Sequence, residues 1–289
     1  MTVLTAPRIS MLGSGTCRID PARGQTSACV IDGEITFVFD LGFGALERLE
    51  RAGAFEACSE LHVHLSHRHT DHVIGIFPLL QCLTWSDDHR HRTILRVVVH
   101  ATEEVCQLVE GVRALWGFEE TKLESPFLSG SGRTLEYRPG PNYQDWNYTV
   151  GSMQVSSIHL PGVNNHGALC KIGGRRIGFT GDATALSEAL IDFCKGCDIC
   201  VFDFGHLMDV IDSEGTLQAD LEKIVELLAA ANPPQARAAH VYLRHLQDRA
   251  VSQSDREAEI LRLLGEARES AQRRGFTGRL SLAYDGEVL

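Results

Sequence analysis

The sequence predicts an α/β protein in which sheets and helices form layers. Short apolar segments that end at Gly or Asp are typical of strands, and segments with apolar residues at helical spacing separate them. The same alternation runs through both halves of the 289-residue chain, and no long linker interrupts it. Two halves of this kind most simply form one layered domain, which we predict over residues 1–289.

The elements of the first half lead to a group of histidines. Leu46, Leu49 and Ala52 share one face of a predicted helix, and the strand that ends at Ser66 runs directly into the histidines. The predicted strands span residues 9–13, 27–32, 36–40, 60–66 and 95–100, and the predicted helices span residues 45–54, 74–83 and 102–116.

The elements of the second half follow the same style. Gly173-Gly174 predicts a tight hairpin turn between two strands. Residues 128–147 are rich in Gly, Ser, Pro and Asn, which predicts a loop region. The predicted strands span residues 153–159, 168–172, 176–180, 198–203, 239–243 and 280–284, and the predicted helices span residues 185–194, 217–231 and 255–274.

Composition limits the compartment and the partners. The N-terminus lacks a basic start followed by a long apolar stretch, and no apolar run reaches the roughly 18 residues that cross a bilayer. Nine cysteines, an odd number, fit a compartment where thiols stay reduced. We therefore expect a cytoplasmic protein that does not contact membranes. The net charge of -11 disfavours a nucleic-acid polymer as partner, whereas a small anion remains compatible because bound metal ions dominate the field of a site.

The group of histidines predicts a metal site. His67, His69 and Asp71 alternate along an extended chain toward one side, and His72 follows at once. Imidazole and carboxylate suit zinc, and also iron or manganese. A polar loop with solvent-exposed histidines is the alternative, but histidines seldom cluster in this way without a metal. His62 and His64 lie within the strand, which favours their interpretation as ordinary hydrogen-bonded core histidines.

This segment also carries a resemblance to a known family. His67-Arg68-His69-Thr70-Asp71-His72 resembles the H-x-H-x-D-H signature of the metallo-β-lactamase superfamily. The glycine turns at Leu12-Gly13-Ser14-Gly15-Thr16 and Asp40-Leu41-Gly42-Phe43-Gly44, the Gly181-Asp182-Ala183-Thr184 segment and the late Val241-Tyr242-Leu243-Arg244-His245 segment resemble further parts of that pattern. The resemblance implies a four-layer αββα sandwich, and the branch that it matches best holds tRNase Z, arylsulfatase-like enzymes and small phosphodiesterases.

The resemblance also implies the cofactor and its ligands. Two divalent metal ions are expected, with zinc favoured over manganese or iron, and they hold a hydroxide that attacks phosphorus or a carbonyl. His159 in a His-Leu-Pro-Gly turn is favoured over His166 as the ligand after strand 153–159, in which case His166 lines the pocket. The resemblance assigns His67, His69 and His159 to one ion, Asp71, His72 and His245 to the other, and Asp182 as the bridge.

Two departures from tRNase Z argue against tRNA processing. Ser213-Glu214-Gly215-Thr216 stands where that enzyme has a histidine, and Phe202-Asp203-Phe204-Gly205 replaces its H-E-A-T segment. The predicted catalytic residues are Asp71 and His206. His206 is a candidate proton donor, although a surface histidine is an equal interpretation. Asp203 either orients a ligand or caps a turn.

Other patterns have simpler interpretations. Cys194, Cys197 and Cys200 have a spacing that iron–sulfur sites use, but they straddle a helix end and a strand, which favours packing in the core. Four aromatic residues near the predicted loop either wall a pocket or belong to the core, and both interpretations stay open. These residues are Trp116, Phe118, Tyr143 and Trp146.

The function predicted first is hydrolysis of a small or cyclic phosphodiester by the metal-bound hydroxide. The alternatives are hydrolysis of a lactone, thioester or amide, a di-iron redox reaction on the same fold, and metal binding without catalysis. A small-molecule substrate is expected in the first three cases. A homodimer is suggested only by analogy with similar proteins.

Overall fold

The computed structural model describes residues 7–15, 23–85, 93–115, 134–204, 217–239 and 253–289. The chain divides into two compact units, the first formed by Met1–Gln154 with Tyr284–Leu289 and the second by Val155–Ala283. One domain over residues 1–289 stays a prediction. Within the described residues, no helix combines the length and the apolar character that crossing a bilayer requires.

A six-stranded sheet organises the first unit. Its order follows the chain from β1 to β6, with antiparallel pairing among the first three strands and parallel pairing from β3 to β6. Its strands are β1 (Arg8–Gly13), β2 (Ser27–Asp32), β3 (Ile35–Phe39), β4 (Glu60–Leu65), β5 (Arg96–Thr102) and β6 (Thr134–Gly140). Four helices accompany them: α1 (Ala45–Arg51), α2 (Thr70–Val73), α3 (Ile76–Trp85) and α4 (Glu103–Leu115).

Burial explains why these segments are strands. Strand β5 buries Val97, Val98 and Val99 fully, although consecutive side chains point to opposite faces of the sheet. This burial is expected for an inner parallel strand that is covered on both faces. The hairpin between β2 and β3 turns at Gly33, whose φ of 60° is favourable for glycine. A continuous apolar cluster that includes Leu49 and Leu79 joins the helices to this sheet.

A seven-stranded sheet has the order β13-β12-β11-β10-β9-β8-β7. Its strand β7 and the first residues of β8 are counted with the first unit, and the remaining strands belong to the second unit. Its strands are β7 (Trp146–Val150), β8 (Met153–Leu160), β9 (Asn165–Ile172), β10 (Arg175–Phe179), β11 (Ile199–Asp203), β12 (Gln235–Ala239) and β13 (Arg279–Leu282). The helices are α5 (Glu188–Lys195), α6 (Leu217–Ala231) and α7 (Gln253–Arg273).

Local chemistry sets two boundaries in the second unit. Gly173 and Gly174 both have positive φ, at 56° and 79°, and they join antiparallel β9 and β10 as predicted. Helix α5 begins later than predicted because the hydroxyl of Ser187 accepts a 3.1 Å hydrogen bond from the backbone N–H of Leu190. This N-cap ends the preceding loop and satisfies one of the first helical donors.

One prediction about the sheets is wrong, and another is tested only at its start. The predicted loop over residues 128–147 contains all of β6 and the start of β7, and its first residues lie outside the described chain. Strand β6 is an edge strand, where half-buried side chains and Pro139 weaken the apolar pattern. The structure describes β12 as Gln235–Ala239, so this strand begins four residues before the predicted strand 239–243, and residues 240–243 lie outside the described chain.

The C-terminal residues hold the first glycine turn of the same unit. The Asp285 carboxylate accepts hydrogen bonds from the Ser14 N–H and hydroxyl, both at 2.9 Å, and from the Gly24 N–H at 2.6 Å. The guanidinium of Arg48 lies 3.0 Å from the same carboxylate. One partly buried acid therefore joins residues that are far apart in sequence.

Candidate metal centre

Four predicted ligands lie close together in the first unit. Strand β4 ends at Leu65, and helix α2 forms a single turn with His69 as its N-cap residue. His67 is 1% exposed, Asp71 7% and His72 0%. The predicted extended chain through this segment is therefore wrong, because α2 begins immediately after His69.

The turn brings the side chains together. The imidazole centroid of His67 lies 4.5 Å from that of His69 and 4.2 Å from that of His72. One ring nitrogen of His67 lies within 4.8 Å of one of His69. Nε2 of His72 is 3.7 Å from an Asp71 carboxylate oxygen. Three imidazoles and a carboxylate thus lie close enough to hold cations.

A buried carboxylate stands behind this group. Asp40 is fully buried at the end of β3, and its Oδ2 lies 2.7 Å from Nδ1 of His72. Its Oδ1 accepts a 2.7 Å hydrogen bond from the Ser66 N–H. Burial alone would raise the pKa of Asp40, but the charge and hydrogen bond of His72 and the nearby His67 outweigh it, so the pKa lies below its ordinary value. Asp40 also has a φ of 53°, which non-glycine residues seldom adopt.

The glycine turn after Asp40 places this carboxylate against α2. A Cβ atom on Gly42 would lie 2.4 Å from the carbonyl oxygen of Asp71. The Leu41 N–H donates to the carbonyl of His72 at 2.8 Å, and the Gly75 N–H donates to the carbonyl of Leu41 at 2.7 Å. Only a residue without a side chain allows the turn to approach α2 this closely.

The donor set fits a divalent metal. Nδ1 of His72 faces Asp40, and Nδ1 of His67 lies 3.0 Å from the Ser66 hydroxyl. Each ring therefore presents Nε2 as the nitrogen that would bind a cation. A carboxylate or another polar group behind the imidazole is the usual outer partner in zinc sites. Imidazole and carboxylate ligands suit zinc and also manganese or iron.

The second unit holds the other described candidates. His159 lies near the end of β8 and is half-buried, and His166 is fully buried near the start of β9, with ring centroids 5.3 Å apart. Nε2 of His166 lies 3.3 Å from the Asn164 side-chain oxygen. Asp182 follows β10 and is 3% exposed. A Cβ atom on Gly162 would lie 2.8 Å from the Asp182 carbonyl oxygen, so the turn after β8 packs on the Gly-Asp segment.

Comparison with solved structures identifies the fold. The metallo-β-lactamase fold protein YhfI from Bacillus subtilis aligns over 99% of both chains with 13% identity and a TM-score of 0.66. The short form of human tRNase Z aligns over 98% of both chains with 13% identity and a TM-score of 0.63. The chain has the metallo-β-lactamase fold. A diphosphatase from the PhnP family aligns over 98% of this chain and 97% of its own with 15% identity and a TM-score of 0.60.

These similarities confirm the predicted α/β fold class with its αββα metallo-β-lactamase-like arrangement. No protein-family model and no curated protein sequence matches the chain. At these identities the similarity concerns the metallo-β-lactamase fold itself. The assignment of ligands to particular ions stays a prediction.

Two predicted residues lie outside the described chain. His245, assigned to the second ion, and His206, the candidate proton donor, both fall in segments that the structure does not describe. The altered Ser213–Thr216 segment lies there as well. Asp203 is described as the buried last residue of β11, 2% exposed.

The remaining histidines of β4 are core residues, as predicted. Nδ1 of His62 lies 3.0 Å from Nε2 of His100, and Nδ1 of His64 lies 2.8 Å from the Tyr148 hydroxyl. The His100 ring stacks on Tyr148 with centroids 4.0 Å apart. Burial, with the nearby charges of His62 and His64, lowers the pKa of His100 to about 2, and burial also lowers the pKa of His62.

The cysteine spacing produces core packing, as predicted. Cys194, Cys197 and Cys200 are at most 2% exposed and belong to the apolar cluster of the second unit. The Cys200 thiol donates to Cys194 at 3.4 Å, and this hydrogen bond, with burial, raises the pKa of Cys200. Protonated, buried thiols of this kind are poor ligands and poor nucleophiles.

The two described aromatic residues of this group differ in burial. Trp146 is half-buried and packs on the His64 ring with centroids 6.1 Å apart. Tyr143 is 62% exposed and has a φ of 58°. Trp116 and Phe118 lie outside the described residues.

Sequence reasoning missed the roles of Asp40 and Ser66. The sequence patterns place Asp40 first in a glycine turn and Ser66 at a strand end. An acid that ends a buried strand before a Gly-x-Gly turn, and a hydroxyl directly before His67, are the signals that point to them. Neither signal identifies its partner without the fold.

Proposed function

We propose that the protein is a metal-dependent hydrolase that cleaves a small phosphodiester. The observation that carries the proposal is the group formed by His67, His69, Asp71 and His72, with the buried carboxylate of Asp40 behind it. Buried imidazoles that are oriented by a carboxylate are typical of metal ligands. A hydrogen-bonded core alone would not need three histidines in six residues.

The proposed ligand set comes from the resemblance to metallo-β-lactamases. Zinc is the favoured metal, and manganese or iron would also suit these donors. His166 is the alternative to His159. The set comprises His67, His69 and His159 for one ion, Asp71, His72 and His245 for the other, and Asp182 as the bridge.

The chain's own residues orient the site and handle the proton. Two divalent ions, when bound, supply Lewis acidity and lower the pKa of water. Asp40 holds the His72 ring, and the Gly42 turn keeps that carboxylate against α2. We assign to Asp71, which is 7% exposed, acceptance of the proton from the attacking water. His206 is the proposed donor to the leaving group.

A small substrate is favoured over a polymer. The net charge of -11 repels a nucleic-acid backbone, and the segments that matter in tRNase Z are altered in this chain. Two of the similar structures are a tRNase and a diphosphatase, which supports chemistry at phosphorus. A compact or cyclic phosphodiester is both small and open to attack at phosphorus, so it meets both requirements.

The test is turnover of a substrate panel by protein loaded with Zn²⁺ or Mn²⁺. We expect hydrolysis of bis-p-nitrophenyl phosphate or of a cyclic nucleotide. The variant Asp71→Asn should lower kcat/KM by about 10²–10⁴-fold. Asp192→Asn is the matched control, because Asp192 forms only an exposed ion pair with Lys195.

Three outcomes would overturn the proposal. Hydrolysis of thioesters or lactones but not of phosphodiesters would mean that the enzyme attacks carbon rather than phosphorus. Iron in the purified protein together with oxygen consumption would indicate a redox enzyme. Metal binding with no turnover on any panel would leave a metal-binding protein without catalysis.

A further inference from the structure

We propose that Ser66 is a positioning residue that extends the hold of Asp40 from His72 to His67. One buried carboxylate would then orient two imidazoles that the proposed function assigns to different metal ions. The inference deepens that proposed function and rests on it, since it concerns the same ligands.

The contacts of Ser66 support this role. Its hydroxyl oxygen lies 2.8 Å from Asp40 Oδ2, 3.0 Å from Nδ1 of His67 and 3.4 Å from Nδ1 of His72. Ser66, Asp40 and His72 are fully buried, and His67 is 1% exposed. The hydroxyl therefore lies at the centre of a compact polar group that solvent does not reach.

Counting protons fixes the direction of each hydrogen bond. An ionised carboxylate only accepts, so the Ser66 hydroxyl must donate its single proton to Asp40. Towards His67 that hydroxyl can then only accept, which requires a proton on Nδ1 of His67. Nδ1 of His72 likewise donates to Asp40 at 2.7 Å. Both rings are thereby held as the Nδ1–H tautomer.

This tautomer leaves Nε2 of each ring with its lone pair available. The atom that binds a metal is set by the hydrogen bond that the other ring nitrogen makes. A ring held in this state needs neither rotation nor proton loss before it binds a cation. Ser66 therefore lowers the cost of metal binding at His67.

The backbone separates this role from a structural one. The Ser66 N–H donates to Asp40 Oδ1 at 2.7 Å and does not depend on the side chain. The variant Ser66→Ala keeps this bond and the Asp40–His72 bond, and it removes the hydroxyl that lies between Asp40 and His67. Because alanine is smaller than serine, the variant introduces no clash.

The experiment compares Ser66→Ala with Ser66→Thr, which restores a hydroxyl, and with Thr36→Val. Thr36 is fully buried on β3, and its hydroxyl donates to the Ala54 carbonyl at 2.6 Å. Its valine variant loses a buried hydroxyl that makes none of the described contacts of Asp40 or Ser66, so it controls for general destabilisation. Zinc affinity is measured by competition with a chromophoric chelator, and the histidine tautomers by ¹⁵N NMR of metal-free protein at pH 8.

We expect Ser66→Ala to weaken binding of one zinc ion per chain by roughly 10–100-fold. The His67 signal should change from Nδ1–H to the other tautomer, while His72 keeps Nδ1–H. Ser66→Thr should restore both properties. Thr36→Val should bind zinc like the wild type.

Unchanged zinc affinity and an unchanged His67 tautomer in Ser66→Ala would overturn the positioning role. An equal loss of affinity in Thr36→Val would reduce the effect to stability and would also overturn it. If the wild type binds no zinc yet its His67 tautomer depends on Ser66, the proposed hydrolase fails and the positioning role stands. The two failures are therefore distinguishable.

Discussion

Nδ1 of His72 donates a 2.7 Å hydrogen bond to Oδ2 of Asp40, and both side chains are fully buried. A buried carboxylate is costly unless its oxygens are hydrogen-bonded, and here three groups donate to it. They are the His72 ring, the Ser66 hydroxyl and the Ser66 N–H. The acid therefore belongs to the metal centre, although it is not one of the predicted ligands.

The variant Asp40→Asn tests this arrangement. An amide offers one acceptor oxygen and introduces two donor hydrogens, so at least one of the buried donors faces another donor. We expect a loss of about 1–3 kcal/mol in the free energy of unfolding. We also expect zinc affinity to fall roughly 10–100-fold. Urea denaturation and chelator competition measure the two effects.

The control for this variant is Asp32→Asn. Asp32 ends the neighbouring strand β2 and accepts an exposed hydrogen bond from the Ser152 hydroxyl at 2.7 Å. Its variant should change stability by less than about 0.5 kcal/mol and leave zinc affinity intact. A similar loss of zinc affinity in both variants would contradict a specific role for Asp40.

Gly42 is predicted to tolerate no side chain. A Cβ atom there would lie 2.4 Å from the Asp71 carbonyl oxygen and 2.5 Å from Cβ of Gln25. The variant Gly42→Ala must move the turn away from α2, and we expect it to destabilise the fold by about 1–3 kcal/mol. Displacement of Asp71 should weaken zinc binding as well. Thermal unfolding and zinc titration check both expectations.

The matched control is Gly111→Ala in helix α4. A Cβ atom at Gly111 meets nothing within 4 Å, and the residue lies inside a helix. Alanine should therefore stabilise the protein by roughly 0.5–1 kcal/mol. Opposite signs for the two glycine variants are the expected result, and a neutral Gly42→Ala would show that the turn does not need its close approach.

The sequence predicted those elements whose pattern is local. Strand β2 and helix α6 have the predicted bounds, because apolar periodicity and turn residues determine them without reference to distant contacts. The sequence did not predict strand β6, because the side chains of this edge strand are mostly half-buried and its apolar pattern is therefore weak. The start of β12 was predicted four residues too late because its alanines and Arg237 acquire their environment from neighbouring strands.

The residues of the candidate site also divide into those that a local motif predicts and those that it does not. The sequence identified His67, His69, Asp71 and His72 because they lie within six residues. It did not reveal that Asp40, from another strand, approaches His72, since contacts over 32 positions depend on how β3 and β4 pair. Local motifs therefore predict ligands, while the groups that orient the ligands require the fold.

The buried histidines predict a loss of stability in acid. His100 has a pKa lowered to about 2 in the folded protein, against an ordinary value of 6.5. Below pH 6.5 the unfolded chain takes up a proton that the folded chain does not, so stability is complete above this pH and falls as the pH decreases. Between pH 7 and 5 we expect this group to contribute a loss of about 2 kcal/mol. The titratable and charged groups around His100 and its partner His62 are His64, Tyr148, Glu60, Arg96 and Arg138.

Urea denaturation from pH 5 to 8 measures this effect. The variant His100→Phe should be less stable at pH 8 but should lose less stability in acid than the wild type, because it has no proton to take up. Thr36→Val, which loses the hydrogen bond to Ala54, should be destabilised equally at every pH. Parallel pH profiles for the wild type and His100→Phe would contradict the prediction.

Asp285 is predicted to hold the C-terminal residues and the first glycine turn together. Its carboxylate accepts three hydrogen bonds from Ser14 and Gly24 and pairs with Arg48 at 3.0 Å. Side-chain exposure of 16% for the acid and 23% for the arginine limits solvent screening without removing it, so we expect Asp285→Ala to cost about 1.5–3 kcal/mol. Asp192→Ala, which breaks only an exposed pair, should cost less than about 1 kcal/mol. Urea midpoints compare the two, and equal midpoints would mean that the Asp285 contacts do not persist in solution.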